Sequence, residues 1–579
     1  MTGIDTRVDE LEARLGDPWD PDNPAGFAAI VAADEREETP SGGRAVLDDY
    51  GILAEFVPRG LGGRLERVDH LVELMRSVYR RDPSLGLGHC SSSLLGAVNV
   101  WTAGSEEQRQ DAAKLLLAGG KISCAFHELA HGNDIGSVEF SATPAGNALM
   151  LNGRKESITN LDRADAVVFL ARTDPAGGPR STSQLFVPVT GIDPARARFL
   201  PRFRSVGMRG VRLGGIEVDG APVDRDALLG PTGTGMETVA RAFQLTRMAL
   251  PGMSTAMLDT ALRVTLRHVR GRRLYGRTAA DIPMVRTTLA NAFTDLLVCE
   301  AFSNVAARSL HVLPASGSVY APAVKYLLAG VLLDAVEQLS LVMGSEFYRR
   351  DGEHAVFQKT VRDIKPVAFG HIARAACLSA VLPQLPVLAR RAWGKPGPRP
   401  GTGPGPGSGP GPGSGPAPAE LFVADHAVPP LDLPGLSLVS GGQDGLALSL
   451  GAALDDELPG PLRPLVEAQA DQLASLAEAC AGLKPRDLSI AAPVAVRDLA
   501  ARYTTVLAAA ACVGVWRHAP ADGFLARPEW LVAALTRLAG VAAGSPRDVP
   551  YELEGGLVDE LLDRERRTVG FGVSGRRYR

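Results

Sequence analysis

The stretch METVARAFQLTRMALPGMSTAMLDTALRVTLRHVRGRR, residues 236–273, decides how the chain is divided. Apolar residues recur along it at spacings of three and four, which is typical of a long amphipathic helix. Further stretches of the same texture begin at Met284, Tyr320 and Phe357. Four such helices with short connections predict a four-helix bundle over residues 232–393.

Two other textures precede this bundle. Residues 1–120 carry helical periodicity, whereas residues 121–231 consist of short β runs bounded by Gly, Asn, Asp and Pro. The second segment predicts a small β-barrel or sandwich. We therefore expect an α+β fold, mainly α, with an N-terminal helical domain, a central β-barrel domain and a C-terminal four-helix bundle.

A Gly/Pro-rich segment follows the bundle. Residues 394–418 contain 19 Gly or Pro in 25 positions, which predicts a linker without a core of its own. Beyond it, residues 419–579 predict a small helical region that carries no cluster of chemical groups. We expect the parts on either side of the linker to fold separately, and the C-terminal region to pack on the body or to mediate assembly.

Composition narrows the function classes. The formal charge of −4 and the lack of long like-charge runs argue against a nucleic-acid partner. The longest weakly polar run, residues 504–516, is too short to predict a membrane span. Six cysteines without CxxC spacing predict reduced core thiols rather than disulfides or a metal site. Together with an N-terminus that lacks an apolar segment, these features predict a cytoplasmic protein.

Several motifs occur in a fixed order along the body. FHELAHGND (126–134), NGRKESITN (152–160), FQLTRMALPG (243–252) and RGRRLYGR (270–277) are each weak alone. In this order, over roughly residues 20–393, they resemble the acyl-CoA dehydrogenase family. The resemblance implies FAD held between the β-domain and the bundle, an acyl-CoA or acyl-carrier-protein substrate, and a homodimer or homotetramer.

Site residues follow from the same resemblance. Thr246 and Arg247 match positions at the substrate end of the bundle. The positions that match FAD contacts are Phe126, His127, Asn133, Ser157, Thr159, Arg272, Tyr275 and Gly344. Plainer interpretations stay open: Arg272 and Arg247 as solvated helix charges, Gly344 as a helix end, and His127 as a satisfied core histidine.

Some of these positions depart from the family pattern. His127 and Asn133 replace hydroxyl residues, and Ser157 replaces an aromatic residue that usually flanks the flavin ring. Tyr275 keeps an aromatic side chain where the family has Phe. The resemblance therefore implies a flavin in an unusual environment.

The largest departure concerns the catalytic base. The family removes the α-proton of the thioester with a carboxylate eight or nine residues after an Arg-Asp pair, here Arg362-Asp363. An ungapped alignment puts Gly370 or His371 there, and a gapped one removes the acid. Thr246 occupies the alternative base position and cannot serve. His371 is the remaining candidate acceptor, unless it simply packs in the bundle.

Two classes of function remain. The first is a FAD-dependent oxidoreductase acting on CH–CH groups of an acyl thioester with an unusual base. The second is a flavin-dependent oxygenase, or a non-catalytic binding protein that keeps the fold.

Overall fold

The computed structural model describes residues 3–394 and 415–577. Most of the predicted linker, residues 395–414, lies outside the described residues. Residues 415–418 are described, and the Ala417 N–H donates to the Gly445 carbonyl (2.9 Å). This end of the predicted linker therefore packs on the C-terminal region.

The first part of the chain is helical. Its longest helix is almost wholly buried, because apolar residues recur on every turn from Val68 to Val78. The helices are α1 (Gly3–Leu15), α2 (Phe27–Glu35), α3 (Ser41–Tyr50), α4 (Val68–Arg81), α5 (Pro83–Leu85), α6 (Ser92–Ala103) and α7 (Glu106–Leu117).

A mixed eight-stranded sheet follows. Its strands are β1 (Ile122–Ala125), β2 (Ser141–Ala145), β3 (Ala148–Thr159), β4 (Ala166–Arg172), β5 (Thr182–Pro188), β6 (Ala197–Leu200), β7 (Leu213–Asp224) and β8 (Leu228–Leu229). They pair in the order β6-β7-β3-β2-β4-β5-β8, and β1 pairs with β4 in parallel. Within the described residues the sheet does not close, because no pairing joins its two end strands, β6 and β8. The predicted barrel is thus corrected to an open mixed sheet.

Long helices form the next layer. They are α8 (Gly235–Gly271), α9 (Pro283–Val312), α10 (Gly317–Met343), α11 (Val356–Asp363), α12 (Arg374–Val381) and α13 (Leu385–Leu388), with a small hairpin of β9 (Arg273–Leu274) and β10 (Arg277–Thr278) after α8. The fourth helix of the predicted bundle is broken into α11, α12 and α13. Pro366 and the turn at Gly370 explain the break, since proline removes a helical donor and glycine favours a turn.

The C-terminal region is also helical and shares the core of the body. Its helices are α14 (Gly445–Leu454), α15 (Arg463–Ala481), α16 (Val494–Arg517), α17 (Pro528–Ala543) and α18 (Tyr551–Arg566). One continuous apolar cluster runs from Ile4 to Phe571. The structure therefore supports packing on the body and gives no support to two parts that fold separately.

Polar contacts reinforce this packing. Asp444 accepts hydrogen bonds from the Tyr320 hydroxyl, the Tyr503 hydroxyl and the Trp393 indole N–H, each at 2.8 Å. All three donors would be left unsatisfied without this carboxylate, so the buried network fastens the C-terminal region to the bundle.

A second fastening lies at Arg308 of α9. Its guanidinium pairs with Asp69 (2.9 Å) and donates to the carbonyls of Glu420 (2.9 Å) and Ala424 (3.1 Å). The chain after the linker is thereby tied to both the first part and the bundle.

Two helical segments are long and apolar enough to cross a membrane by length and composition, Pro314–Tyr348 and Val494–Arg517. Most of each apolar window is buried inside the protein, 61% and 78% respectively. Both therefore serve as core helices of this fold. All six cysteines are free, and five of them are buried.

Candidate active site

The site begins where β1 ends. Lys155 of β3 donates to the Phe126 carbonyl (3.1 Å), and the Glu156 N–H donates to the His127 carbonyl (3.0 Å). His127 also bonds the Gly132 carbonyl through Nδ1 (3.3 Å). The backbone at Phe126 and His127 is thus fixed before any ligand binds.

A buried ion pair supports this edge. Lys155 lies 2.8 Å from the Glu128 carboxylate, which also accepts the backbone N–H groups of Glu139 (2.9 Å) and Phe140 (3.0 Å). Burial alone would raise the pKa of Glu128, but Lys155 and the two N–H donors hold that pKa below its usual value. Burial lowers the pKa of Lys155 to about 8. Since every charge has a partner, this pair is structural support.

The strand next to this edge carries Ser157 and Thr159. The β3–β7 register shifts between Glu156 and Ile158, and Ser157 has φ of +57°. Bulges of this kind re-aim a side chain, so Ser157 is turned out and exposed. Thr159 is half-buried, and its carbonyl accepts from Ser123 Oγ (2.8 Å).

One face of α8 packs on the β1 edge. The rings of Phe126 and Phe243 stack with centroids 6.0 Å apart, and the Arg247 guanidinium lies 5.5 Å from the Phe243 ring centroid. Phe243, Thr246 and Arg247 share this face because they are three and four residues apart. Pro251, inside the helix, cannot donate to the Arg247 carbonyl.

The turn before α12 completes the site. His371 has φ of +58° and Ile372 has φ of +113°, both in the left-handed region. The His371 ring lies 4.1 Å from the Phe243 ring centroid, and the Ala373 N–H donates to Asn133 Oδ1 (3.0 Å). The structure therefore brings Phe126, His127, Asn133, Thr246, Arg247 and His371 together.

His371 is held by one specific contact. Its Nε2 lies 2.6 Å from Thr246 Oγ1, so this nitrogen is engaged whichever atom supplies the proton. Its Nδ1 has no hydrogen-bond partner in residues 3–394 and 415–577. A free lone pair on Nδ1 requires the Nε2–H tautomer, in which Thr246 accepts the hydrogen bond.

The surroundings of His371 are electropositive. Burial lowers its pKa well below the usual value, and Lys325, Arg247 and His127 lower it further. The imidazole is therefore neutral near pH 7. No carboxylate of the described residues offsets these groups, so His371 is a weak base as it stands.

The other FAD-contact positions lie elsewhere. Arg272 follows α8, about 25 residues beyond Arg247, which corresponds to roughly 38 Å along a helix. Tyr275 lies in the β9–β10 turn and Gly344 ends α10. The structure does not bring these three residues to the His371 cluster within one chain.

Comparison with known proteins agrees with this geometry. The family model described as acyl-CoA dehydrogenase, C-terminal domain, matches residues 233–371. Residues 233–371 are thus similar to the C-terminal domain of acyl-CoA dehydrogenases. Human mitochondrial short-chain specific acyl-CoA dehydrogenase is 25% identical over 268 residues, which cover 46% of this chain and 64% of the human protein. The match thus spans less than two thirds of that relative.

Solved structures extend the likeness in fold. An acyl-CoA dehydrogenase complexed with FAD from Bacillus anthracis has a TM-score of 0.72 at 15% identity and covers 97% of this chain and 88% of its own. The prolyl acyl carrier protein oxidase AnaB has a TM-score of 0.57 at 16% identity, covering 65% of this chain and 97% of its own. The Bacillus structure shows that an acyl-CoA dehydrogenase fold can include a C-terminal helical region like this one.

Two residues of this candidate site were not predicted from the sequence. Phe243 joins the β1 edge to His371, and its spacing from Thr246 and Arg247 on α8 could have indicated it. Lys325 is buried in the apolar helix α10 and donates to the carbonyls of Val367 (2.6 Å) and Gly370 (3.0 Å). Lys325 is the one charged residue between Gly317 and Leu333, and this isolated charge could have indicated it.

Proposed function

We propose that this chain is a FAD-dependent oxidoreductase that acts on a CH–CH group of an acyl thioester bound to CoA or to a carrier protein. The observation that carries the proposal is that the β1 edge, α8 and the His371 turn meet at one place, where the Phe243 ring lies against both Phe126 and His371. By resemblance, Thr246 matches one of the two positions from which this family supplies its carboxylate base, and Gly370 or His371 matches the other.

The residues present suit FAD. Within the described residues Arg272 makes no ion pair with a carboxylate and has only His268 Nε2 at 3.4 Å, so its planar fork is free for a diphosphate. The His354 ring lies 5.2 Å from His268, and its buried Nδ1 lacks a hydrogen-bond partner. These groups would hold the diphosphate, and Phe126 and Thr159 would border the flavin ring.

The chain's own residues then have distinct tasks. The flavin, when bound, supplies the acceptor for hydride from the β-carbon of the substrate. His371 Nδ1 is the acceptor that we assign to the α-proton, and Thr246 holds the ring by Nε2. Phe243 and Phe126 provide apolar walls that exclude water.

A second copy of the chain is part of this proposal. Arg272 lies roughly 38 Å beyond Arg247 along α8, and we assign the FAD contacts of Arg272 and Gly344 to a neighbouring copy, as the family resemblance implies. Tyr275 and Tyr348 are 94% and 83% exposed near these residues, which supports an interface there. A homodimer is the smallest assembly that meets this need.

The alternative is a flavin-dependent oxygenase or a non-catalytic binding protein. Its support is the electropositive surrounding of His371, which makes α-proton abstraction slow. An oxygenase does not need that base.

The test is anaerobic bleaching of the flavin by butyryl-CoA in the wild type and in His371→Glu, His371→Ala and Gly370→Glu. We expect yellow protein, slow bleaching of the wild type, and at least tenfold faster bleaching of His371→Glu. Gly370→Glu tests the other alignment of the base position, and we expect this variant too to bleach faster than the wild type.

Protein that is colourless and takes up no added FAD would refute the proposal. Fast wild-type bleaching that survives His371→Ala would assign the proton to another group. Incorporation of an oxygen atom from O₂ into the acyl product would favour the oxygenase.

A further inference from the structure

A cavity of about 1010 Å³ lies between the first helical part and the chain after the linker. One wall comes from the turns around Pro58 and Leu65 together with Trp101 of α6 and Arg109 of α7, and the facing wall is the irregular segment 427–434. None of the described lining residues belongs to the candidate active site. The volume is at the upper end of the range for small-molecule sites, about 300–1,000 Å³.

The wall formed by segment 427–434 is stiff. It contains Pro429, Pro430 and Pro434, and proline fixes its own φ and restricts the residue before it. The Pro429 carbonyl also accepts a hydrogen bond from His311 Nδ1 of α9 (2.9 Å). This wall therefore resists collapse into the cavity, which is formed before any ligand binds.

The opposite wall is anchored beside Arg109. Gln108 Nε2 donates to the carbonyls of Asp226 (2.7 Å) and Leu228 (3.1 Å), so the first turn of α7 is tied to the chain at β8. The Trp101 indole N–H donates to a backbone carbonyl (3.0 Å), and this bond uses its one polar group. Trp101 therefore offers the cavity only apolar surface.

Arg109 differs from the other arginines that line the cavity. Arg59 pairs with Glu66 (2.8 Å), and Arg67 pairs with Asp69 (2.5 Å). The Nε of Arg109 is enclosed and has no hydrogen-bond partner, and its guanidinium forms no ion pair with any described residue. Its donors are therefore available to a ligand.

The remaining acidic groups of the lining do not partner Arg109. Glu106 accepts a hydrogen bond from Gln110 Nε2 (3.0 Å), and Asp432 Oδ1 accepts the Gly435 N–H (3.1 Å). Both acidic side chains are exposed to water, whereas Arg109 is half-buried. The cavity thus combines apolar walls with one unpaired guanidinium.

We infer that this cavity binds a carboxylate with an apolar body, of the kind a medium-chain fatty acid has, through the Arg109 guanidinium. A planar guanidinium binds a carboxylate by two parallel hydrogen bonds, and the proline and leucine walls remove hydrocarbon from water. A phosphate monoester carries a second negative charge, for which the described lining residues offer no second unpaired cation. The inference is independent of the proposed FAD chemistry.

The bound carboxylate would contact both walls. It would then tie segment 427–434 to α7 and stabilise the packing of the C-terminal region on the body, since a ligand that binds only the folded state raises stability.

The experiment is isothermal titration calorimetry of the full chain as purified. The probes are octanoate, 1-octanol, octylamine and octyl phosphate, which share an eight-carbon chain and differ in the charge of the head group. We expect octanoate to bind roughly tenfold tighter than 1-octanol and tighter than the other two. Octanoate should also raise the melting temperature of the wild type.

Two variants locate the ligand. In Arg109→Gln the affinity for octanoate should fall to that for 1-octanol, and Arg109→Lys should keep part of the preference. Ala427→Trp places a large side chain at an exposed position of the lining and should weaken binding of every probe. Lys114→Gln is the matched control, because Lys114 lies on the same helix outside the lining and pairs with Asp111 (3.5 Å).

Equal affinity for octanoate and 1-octanol would overturn the inference, as would the failure of all four probes to bind. Tightest binding of octylamine would assign the cavity to Glu106 and Asp432, and tightest binding of octyl phosphate would replace the carboxylate by a phosphate. Octanoate affinity that is unchanged in Arg109→Gln and Ala427→Trp would place the ligand elsewhere and also overturn it. If Arg109→Gln does not fold, the wild-type order of affinities and Ala427→Trp decide.

Discussion

Tyr275 combines features that a purely structural residue rarely has. Its φ is +52° and that of Gly276 is +79°, which together form a type I′ turn between β9 and β10. The tyrosine ring is 94% exposed. A bulky residue in a left-handed turn position costs stability, so its retention there indicates a contact outside the chain.

We therefore expect Tyr275→Asn to change the free energy of unfolding and the fraction of dimer in opposite directions. Asparagine adopts the left-handed region readily, so the unfolding free energy should rise by up to about 1 kcal/mol. If the proposed homodimer places this ring against the neighbour, retention of FAD and the fraction of dimer should fall. Thermal melting, flavin release by fluorescence and light scattering measure these effects.

Tyr551→Asn supplies the comparison, since Tyr551 is also 83% exposed but lies at the start of α18. Unchanged FAD retention and dimer fraction in Tyr275→Asn would show that the exposed ring has no partner.

His371 and Arg247 show how far sequence reasoning reaches at this scale. The motif order matched Arg247 to the substrate end of the bundle and left His371 as the candidate base, and the structure brings both to the same turn of α8. The missing counter-charge was invisible in sequence, because Arg247 and His371 are more than a hundred residues apart and their electrostatic environment depends on folding. Phe243 was hidden for a different reason: an apolar residue on an amphipathic helix does not distinguish a core from a cleft.

Among the elements, α9 binds the end of the chain. The Glu300 carboxylate accepts the Val573 N–H (3.0 Å) and lies 3.4 Å from Arg76, beneath the segment that follows α18. An added Cβ at Gly572 would come within 2 Å of this carboxylate. Glycine is therefore required for such a close approach.

Burial raises the pKa of Glu300 to about 7. Arg76 lowers this pKa, but by less than burial raises it. A raised pKa gives stability that is fully present below the unfolded value near 4.5 and lost as pH rises through about 7. Glu300→Gln has no proton to lose. The stability of this variant relative to wild type should therefore increase between pH 5 and pH 8, by on the order of 2 kcal/mol.

Urea unfolding at both pH values measures this difference. Glu478→Gln, an exposed site on α15, should show no such trend. A difference for Glu300→Gln that is constant across the range, or that falls with pH, would show that Glu300 is ionised in the folded protein at pH 5.

Helix bounds were predicted well where the helical periodicity of apolar residues continues without interruption. The α8 pattern begins and ends within two residues of the observed helix. The prediction of one continuous last bundle helix was wrong. The apolar periodicity continues through Pro366 and Gly370, but the helical backbone is interrupted there. The prediction of a closed barrel was also wrong. The pattern of a strand indicates which side chains face the core and where the turns lie, but not which strands pair at the edges of the sheet.

At the scale of the whole molecule, the C-terminal helices belong to the body. The Asp444 network joins residues that are 51 to 124 positions apart, and the apolar cluster is continuous across the linker. The composition could not reveal that the C-terminal helices pack on the body. A Gly/Pro-rich segment indicates a boundary in the sequence, but it does not indicate whether the parts before and after it contact each other.

We expect a protease site inserted between residues 404 and 405 to give a nicked protein that stays associated and melts in one transition. The chain 1–394 alone should lose cooperative melting, because the apolar surface of α9 is then exposed. Size-exclusion chromatography and calorimetry test both. Two separate transitions in the nicked protein, or cooperative melting of residues 1–394, would restore the view of two independent parts.

The fastening at Arg308 has a consequence during synthesis on the ribosome. Asp69 and Arg308 emerge first, while the carbonyls of Glu420 and Ala424 and the helices that cover α9 follow on the order of ten seconds later. During that interval the nascent chain presents a bare apolar helix and an incompletely bonded guanidinium. Holdase chaperones bind such surfaces, so chains stalled before residue 415 should be recovered with them, and full-length chains should not.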